Sequence, residues 1–140
     1  MHLLGFMRKV MCWGTFDRLH EGHLEFLKDV KSKGDYVVAV VISDDTVYLN
    51  KRKYPTHTQH ERAKSLRKTG FVDDVIKASE NIDKNFNIIA TINPEVFVFG
   101  YDQQTPIEEK LRNFLSERNL STKFVISKEF AEGMHASNLK

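Results

Sequence analysis

The sequence predicts an α/β fold, a doubly wound sheet of about five parallel strands. Strand-like runs alternate with segments of helical spacing along the chain. The run Tyr36 to Ile42 is nearly all apolar and β-branched. It cannot show one face to water and belongs inside a parallel sheet covered on both sides. Right-handed crossovers leave few ways to wind such a sheet. At 140 residues the chain should form one domain, able to bury about two thirds of its unfolded surface.

Residues Met7 to Trp13 read as the first buried strand, with Val10 and Met11 as core candidates. Residues 1–6 are expected to be an N-terminal extension, since the first strand begins at Met7; the stretch is too short for a signal peptide's apolar region and has no cleavage pattern. From Gly22 to Lys33, Leu24, Leu27 and Val30 recur at three-residue spacing, Phe26 widens the apolar face, and Gly34 supplies the helix stop. Ser43 to Asn50 suits a short helix, and Lys51 to His57 a basic loop broken by Pro55. A helix starts at Thr58, with Glu61 completing a capping box, and runs through Ala63 and Leu66 to Gly70. Phe71 to Ile76 is the third strand. Ile82, Phe86 and Ile89 lie at helical spacing before Asn93-Pro94 ends their helix. Glu95 to Phe99 is the fourth strand, running into Gly100-Tyr101-Asp102-Gln103. Thr105-Pro106-Ile107-Glu108 opens a last helix that buries Ile107, Leu111, Phe114 and Leu115. Lys123 to Ile126 is the fifth strand.

Composition narrows the function classes. Hydrophobic residues make 41% and charged residues 29%, an ordinary soluble composition. A net charge of +2 is too small to argue for nucleic acid or membrane, and no apolar run approaches the length of a membrane span. The one cysteine, Cys12, cannot form an internal disulfide and reads as a small buried thiol, which fits a reducing, cytoplasmic interior.

The chemistry concentrates in Gly14-Thr15-Phe16-Asp17-Arg18-Leu19-His20-Glu21-Gly22-His23. A strand that turns through small residues into a helix N-terminus makes an anion site, where backbone N–H groups and the helix dipole point the same way. His20 and His23 add donors that can follow charge as it moves between phosphate oxygens, and Gly22 permits close approach to a phosphate. Phosphoryl and nucleotidyl transfer need such charge stabilisation more than covalent help. A nucleoside triphosphate is the ligand this stretch suits. No third ligand for a metal is evident beside the two histidines. Ligands of parallel sheets bind outside the carboxyl ends of the strands, and both this stretch and Gly100 to Gln103 follow strand ends.

Gly14-Thr15-Phe16-Asp17 followed by His20-x-Gly22-His23 resembles the nucleotidyltransferases related to the cytidylyltransferases. Their Rossmann-like fold carries the "HIGH" motif in its HxGH form. The likeness extends over most of the chain, with Phe71-Val72-Asp73-Asp74-Val75-Ile76 similar to the family's "YVDEVI" strand. Class I aminoacyl-tRNA synthetases share the histidine motif but are far longer. Gly100-Tyr101-Asp102-Gln103 is similar to the archaeal FAD synthases, which join the AMP of ATP to FMN; glycerol-3-phosphate and choline-phosphate cytidylyltransferases tend to carry Gly-Asp-Asp there.

The resemblance implies that Gly14, Thr15, Phe16, His20, Gly22, His23 and Asp102 meet ATP, and that a lysine of the Lys51-Arg52-Lys53 run reaches the phosphates. His20, His23 and Lys51 are then the catalytic candidates, with Lys53 an equal alternative to Lys51. Arg62 sits in the first turn of its helix, where a cation opposes the dipole, so a surface role and an anion-binding role both stand. The family's closing Ser-[Ser/Thr]-x-[Ile/Leu] motif is matched only by Ala136-Ser137-Asn138-Leu139, which leaves Ser137 as its one hydroxyl. A divalent cation, Mg²⁺, would bridge phosphate oxygens, although no carboxylate cluster is visible to hold it. Relatives are commonly dimers, so a homodimer is part of what the resemblance implies. CTP with glycerol 3-phosphate is the alternative substrate pair, and a non-catalytic nucleotide-binding module the alternative class.

Overall fold

The computed structural model describes residues 7–100 and 106–127. Five strands, β1 (Lys9–Gly14), β2 (Tyr36–Val41), β3 (Asp74–Lys77), β4 (Val96–Phe99) and β5 (Lys123–Ile126), form one sheet in the order β3-β2-β1-β4-β5. Every pairing is parallel. Five helices connect them: α1 (Glu21–Lys31), α2 (Asp44–Lys51), α3 (Gln59–Lys68), α4 (Ile82–Ile92) and α5 (Pro106–Glu117). The expected class and strand number are both found.

Successive residues of a strand face opposite ways, and here both sides are apolar. Val10, Cys12, Val37, Ala39, Val41, Val96 and Val98 pack with Leu27 and Val30 of α1 and Ala63 and Leu66 of α3. Met11, Trp13, Val38, Val40, Phe97 and Phe99 pack with Phe86 and Ile89 of α4 and Leu111 and Leu115 of α5. This second layer is largely aromatic: Trp13 meets Phe97 and Phe99 edge-on, with centroids 5.4 and 5.7 Å away. Burial of each such side chain contributes about 1.5–3 kcal/mol. Cys12 lies wholly inside, and burial pushes its thiol up to about 12, so it is a packing residue.

The strands grow outward from β1 in both directions, first to β2 and β3, then to β4 and β5. The order therefore reverses between β1 and β4, and that switch point is where a doubly wound sheet opens a crevice at its carboxyl edge. The register pairs Cys12 with Val98, and continuing it sets Gly14 beside Gly100. The two segments singled out in the sequence leave adjacent strands at one level.

Several boundaries move. β1 starts at Lys9, two residues later than expected, and extends through Gly14. β3 is confined to Asp74–Lys77, because Asp73 turns its carboxylate to accept from the Val37 N–H at 2.8 Å. Lys51 belongs to the last turn of α2 and not to the loop. The helix before Gly34 ends at Ser32 in right-handed geometry, so Gly34 is not its left-handed stop. A Cβ at Gly34 would come within 2.3 Å of Val10 Cγ2 and 2.6 Å of the Arg8 carbonyl oxygen, and this close approach is what requires glycine. Gly70, with φ +79°, is the left-handed position.

Candidate functional site

Beyond Gly14 the chain makes a constrained turn. Phe16 and Arg18 both have positive φ, at 54° and 52°. Side chains with a Cβ resist this conformation by about 1–2 kcal/mol each, so it must be held from outside. Phe16 is held by burial in the core against Phe26, with its ring also 6.2 Å from that of His23. Asp17 accepts from the N–H groups of Thr56 at 2.7 Å and His57 at 3.0 Å, which ties the turn to the loop after α2. Burial pushes its carboxyl up, but these two N–H donors, with His57 and Arg62 nearby, hold it below the usual carboxylate range.

The turn delivers the histidines to the start of α1. His20 is the N-cap, in extended geometry, and its Nδ1 accepts the Gly22 N–H at 3.0 Å. His23, one turn inside, accepts the His20 N–H on its own Nδ1 at 3.2 Å. The pair forms a reciprocal capping box built from two imidazoles. An Nδ1 that accepts from a backbone N–H carries no hydrogen, so each neutral ring has its proton on Nε2. The rings lie 4.0 Å apart, centroid to centroid, giving two Nε2–H donors side by side at the positive end of a helix. Burial is the main cause holding His23 well below the usual imidazole range, at about 4. The charges of His20 and Lys51 act in the same direction and Asp17 opposes them.

The sequence candidates thus separate. Gly14 ends β1 and its carbonyl accepts from Ile42; Thr15, Phe16, His20, Gly22 and His23 follow in one continuous turn. The Gly22 N–H is engaged by His20 Nδ1. Lys51, at the end of α2, lies near enough for its charge to reach His23, while Lys53 follows in the exposed turn. Asp102 and Ser137 lie outside the described residues, as do Tyr101 and Gln103.

Arg62 is the main correction. It is not a surface cation: it is 1% exposed, and its guanidinium is engaged by the protein. It donates to the carbonyls of His57 at 3.0 Å and Thr15 at 2.7 Å, and to Asp44 Oδ1 at the start of α2. It thereby joins the histidine turn, the Thr56–His57 loop and α2. A cation in the first turn of α3 is unfavourable for the helix alone, and that anomaly was the available signal that tertiary partners exist. Sequence reasoning also missed Gln59, whose Nε2 donates to Val41 O and Ala78 O, both at 2.8 Å, and closes the carboxyl ends of β2 and β3.

Residues 11–140 match the cytidylyltransferase-like family. The chain belongs to that family. Among its relatives, the FAD synthase of Thermococcus onnurineus is 35% identical over 84% of this chain and 77% of its own. The FAD synthase of Thermococcus kodakarensis is 36% identical over 84% and 77%, and that of Methanobrevibacter smithii 34% over 84% and 76%. A solved structure described as a lipopolysaccharide core biosynthesis protein from Thermoplasma volcanium superposes with a TM-score of 0.77 at 30% identity, covering 87% of this chain and 97% of its own. This cytidylyltransferase-like chain also shares its fold with a pantoate-beta-alanine ligase from Francisella tularensis, at TM-score 0.55 and 16% identity over 86% of this chain and 59% of the other. Among the described residues no helix is long and apolar enough to cross a membrane.

Proposed function

We propose that this chain is an FMN adenylyltransferase, which transfers AMP from ATP to FMN and gives FAD and pyrophosphate. The observation that carries this reading is the set of archaeal FAD synthases 34–36% identical to the chain over most of both lengths. An oxygen of the FMN phosphate attacks the α-phosphorus of ATP in line. The new P–O bond forms as the bond from the α-phosphorus to the β-phosphate oxygen breaks, and pyrophosphate leaves with that electron pair. A phosphate monoester is largely ionised near neutral pH, its second pKa being about 6, so no general base is needed. That agrees with two histidines whose Nδ1 atoms already accept from the backbone. The Nε2–H donors of His20 and His23, the start of α1 and Lys51 stabilise the charge that builds on the phosphate oxygens.

A resident metal does not fit the described residues. No group of three or more His, Cys, Asp or Glu side chains among them is placed to hold one, and both oxygens of Asp17 accept from N–H donors. In this reading the divalent cation, Mg²⁺, arrives with the triphosphate as part of the substrate, held by phosphate oxygens and water. A cytoplasmic homodimer belongs to the same reading, and light scattering at assay concentration tests its oligomeric state.

The functional test crosses ATP and CTP with FMN and glycerol 3-phosphate in the presence of Mg²⁺, scored by product mass. FAD from the ATP and FMN pair alone is the expected result. CDP-glycerol as the main product would reassign the substrates while keeping the site. Nucleotide binding with no product in any combination would leave a binding module.

A further inference from the structure

Beside the histidine turn lies a surface of which the catalytic assignment uses only Lys51. Tyr48, in α2, and Tyr54, in the loop after it, stack with centroids 4.6 Å apart and planes 25° from parallel. Both rings are exposed, at 39% and 58%, and Leu49 next to them is 72% exposed. Lys51, Arg52 and Lys53 run between the two tyrosines. Elsewhere among the described residues, the exposed large apolar side chains are single isoleucines, Ile82, Ile88 and Ile126, and such scattered residues are ordinary. Two stacked aromatic rings among three cations are a different kind of surface.

The patch is held in place. Arg52 takes the left-handed conformation, φ 59°, and its N–H donates to Tyr48 O at 2.6 Å, which turns the chain back on α2 and brings Tyr54 over Tyr48. Two and three residues beyond Tyr54, the Thr56 and His57 N–H groups are fastened to Asp17 in the histidine turn. Tyr48 lies three residues, about 4.5 Å along the helix axis, before Lys51, whose charge reaches His23.

We infer that Tyr48 and Tyr54 form the stacking surface for the isoalloxazine ring of the flavin acceptor. This rests on the FMN reading above. FMN pairs a flat aromatic system with a dianionic phosphate through a flexible ribityl chain. The site offers the matching sequence of aromatic face, cationic stretch and phosphate-handling histidines. Stacking on an aromatic side chain tolerates any flat ring and gains from adjacent cations. An acceptor without a ring, such as glycerol 3-phosphate, has no use for the surface.

The test follows FAD formation by wild type, Tyr54→Ala, Tyr48→Ala and Tyr54→Trp, varying FMN at saturating ATP and then ATP at saturating FMN. Riboflavin, which has the ring without the phosphate, serves as inhibitor. Tyr54→Ala should raise KM for FMN about tenfold, the scale of one lost stacking contact, and leave KM for ATP within about twofold. Tyr48→Ala should act in the same direction, and Tyr54→Trp should restore the wild-type value. Riboflavin should compete with FMN and weaken in parallel in Tyr54→Ala. An unchanged KM for FMN in both alanine variants would overturn the inference while leaving the activity intact. So would an equal rise for both substrates, which would mark a collapsed loop. No FAD from the wild type would instead remove the FMN reading, and this inference with it.

Discussion

His20 caps α1 through Nδ1 and presents Nε2–H outward, so replacing it removes two things at once. His20→Ala should lose about 10²–10³ in kcat, the scale of one charge-stabilising donor, together with about 1 kcal/mol of stability for the lost cap. Asparagine caps as well as any residue but does not reproduce the Nε2–H, so His20→Asn should keep the melting temperature and show the same loss of turnover. Full turnover in His20→Asn would sink the donor role. The cap itself was not legible in the sequence: histidine is outside the usual Ser, Thr, Asp and Asn set, and only coordinates show which nitrogen accepts. His23 gives a pH prediction. Its folded value, about 4, lies below the ordinary 6.5, so the unfolded chain binds the proton first. The stability tied to a neutral His23 is complete above about pH 6.5 and is lost as pH falls through about 4. The melting-temperature difference between wild type and His23→Asn should therefore be flat above pH 6.5 and shift against the wild type between 6.5 and 4. A difference independent of pH across that window would show that His23 titrates alike folded and unfolded.

Among the elements, those with a strong local signal were legible. The run from Tyr36 became a central strand because neither face could meet water, and the Thr58–Glu61 capping box starts α3 as its spacing predicts. Asn93 is the left-handed cap of α4, φ 52°, as Asn93-Pro94 foretold. Elements defined by distant partners were not. Nothing local pairs Asp17 with residues 39 and 40 positions away, or Arg62 with Thr15, 47 positions away. The strand order likewise follows from packing, not from spacing. Gly34 shows how a correct residue can carry the wrong reason. A left-handed stop would tolerate asparagine and would leave room for a side chain. The observed approach to Val10 Cγ2 and to backbone at Arg8 does neither. Gly34→Ala should cost about 1–3 kcal/mol through forced displacement, and denaturant unfolding would measure it. At Gly70 no atom beyond the glycine and its chain neighbours lies within 4 Å of the point where a Cβ would stand, so the strain of Gly70→Ala comes from φ alone and Gly70→Asn should be milder than Gly70→Ala. Equal tolerance of alanine at Gly34 and its neighbour Lys33 would refute the close approach as the reason for glycine.

For the whole molecule, the sheet has two unlike edges. At the amino edge, connections are short and closed: Asp35 N–H and Tyr36 N–H donate to Arg8 O, Glu95 N–H to Lys9 O, and Lys123 N–H to Glu95 O. At the carboxyl edge stand the strained turn from Thr15 to His20, the basic loop after α2, and Gly100 at the switch point. The histidine turn, with its positive φ at Phe16 and Arg18, and the Lys51-Arg52-Lys53 run stand on the side where the winding direction changes, and the stability of the buried sheet holds the turn there. Ligand protection should therefore be one-sided. Amide hydrogen exchange with ATP and Mg²⁺ at about a hundredfold over Kd, where binding adds about 2.7 kcal/mol, should slow residues 14–23 and 43–57. Residues 32–35, 93–95 and 119–122, at the amino edge, should exchange as in the free protein except where their opening is global. Slowing spread evenly over both edges would mean that ATP only stabilises the fold against global unfolding. Slowing confined to the amino edge would place the nucleotide away from the histidines and remove the premise of the mechanism. The switch-point geometry leads to the first pattern, because there the chains leaving two adjacent strands, β1 and β4, turn to opposite faces of the sheet, α1 to one and α5 to the other, and leave a crevice between them.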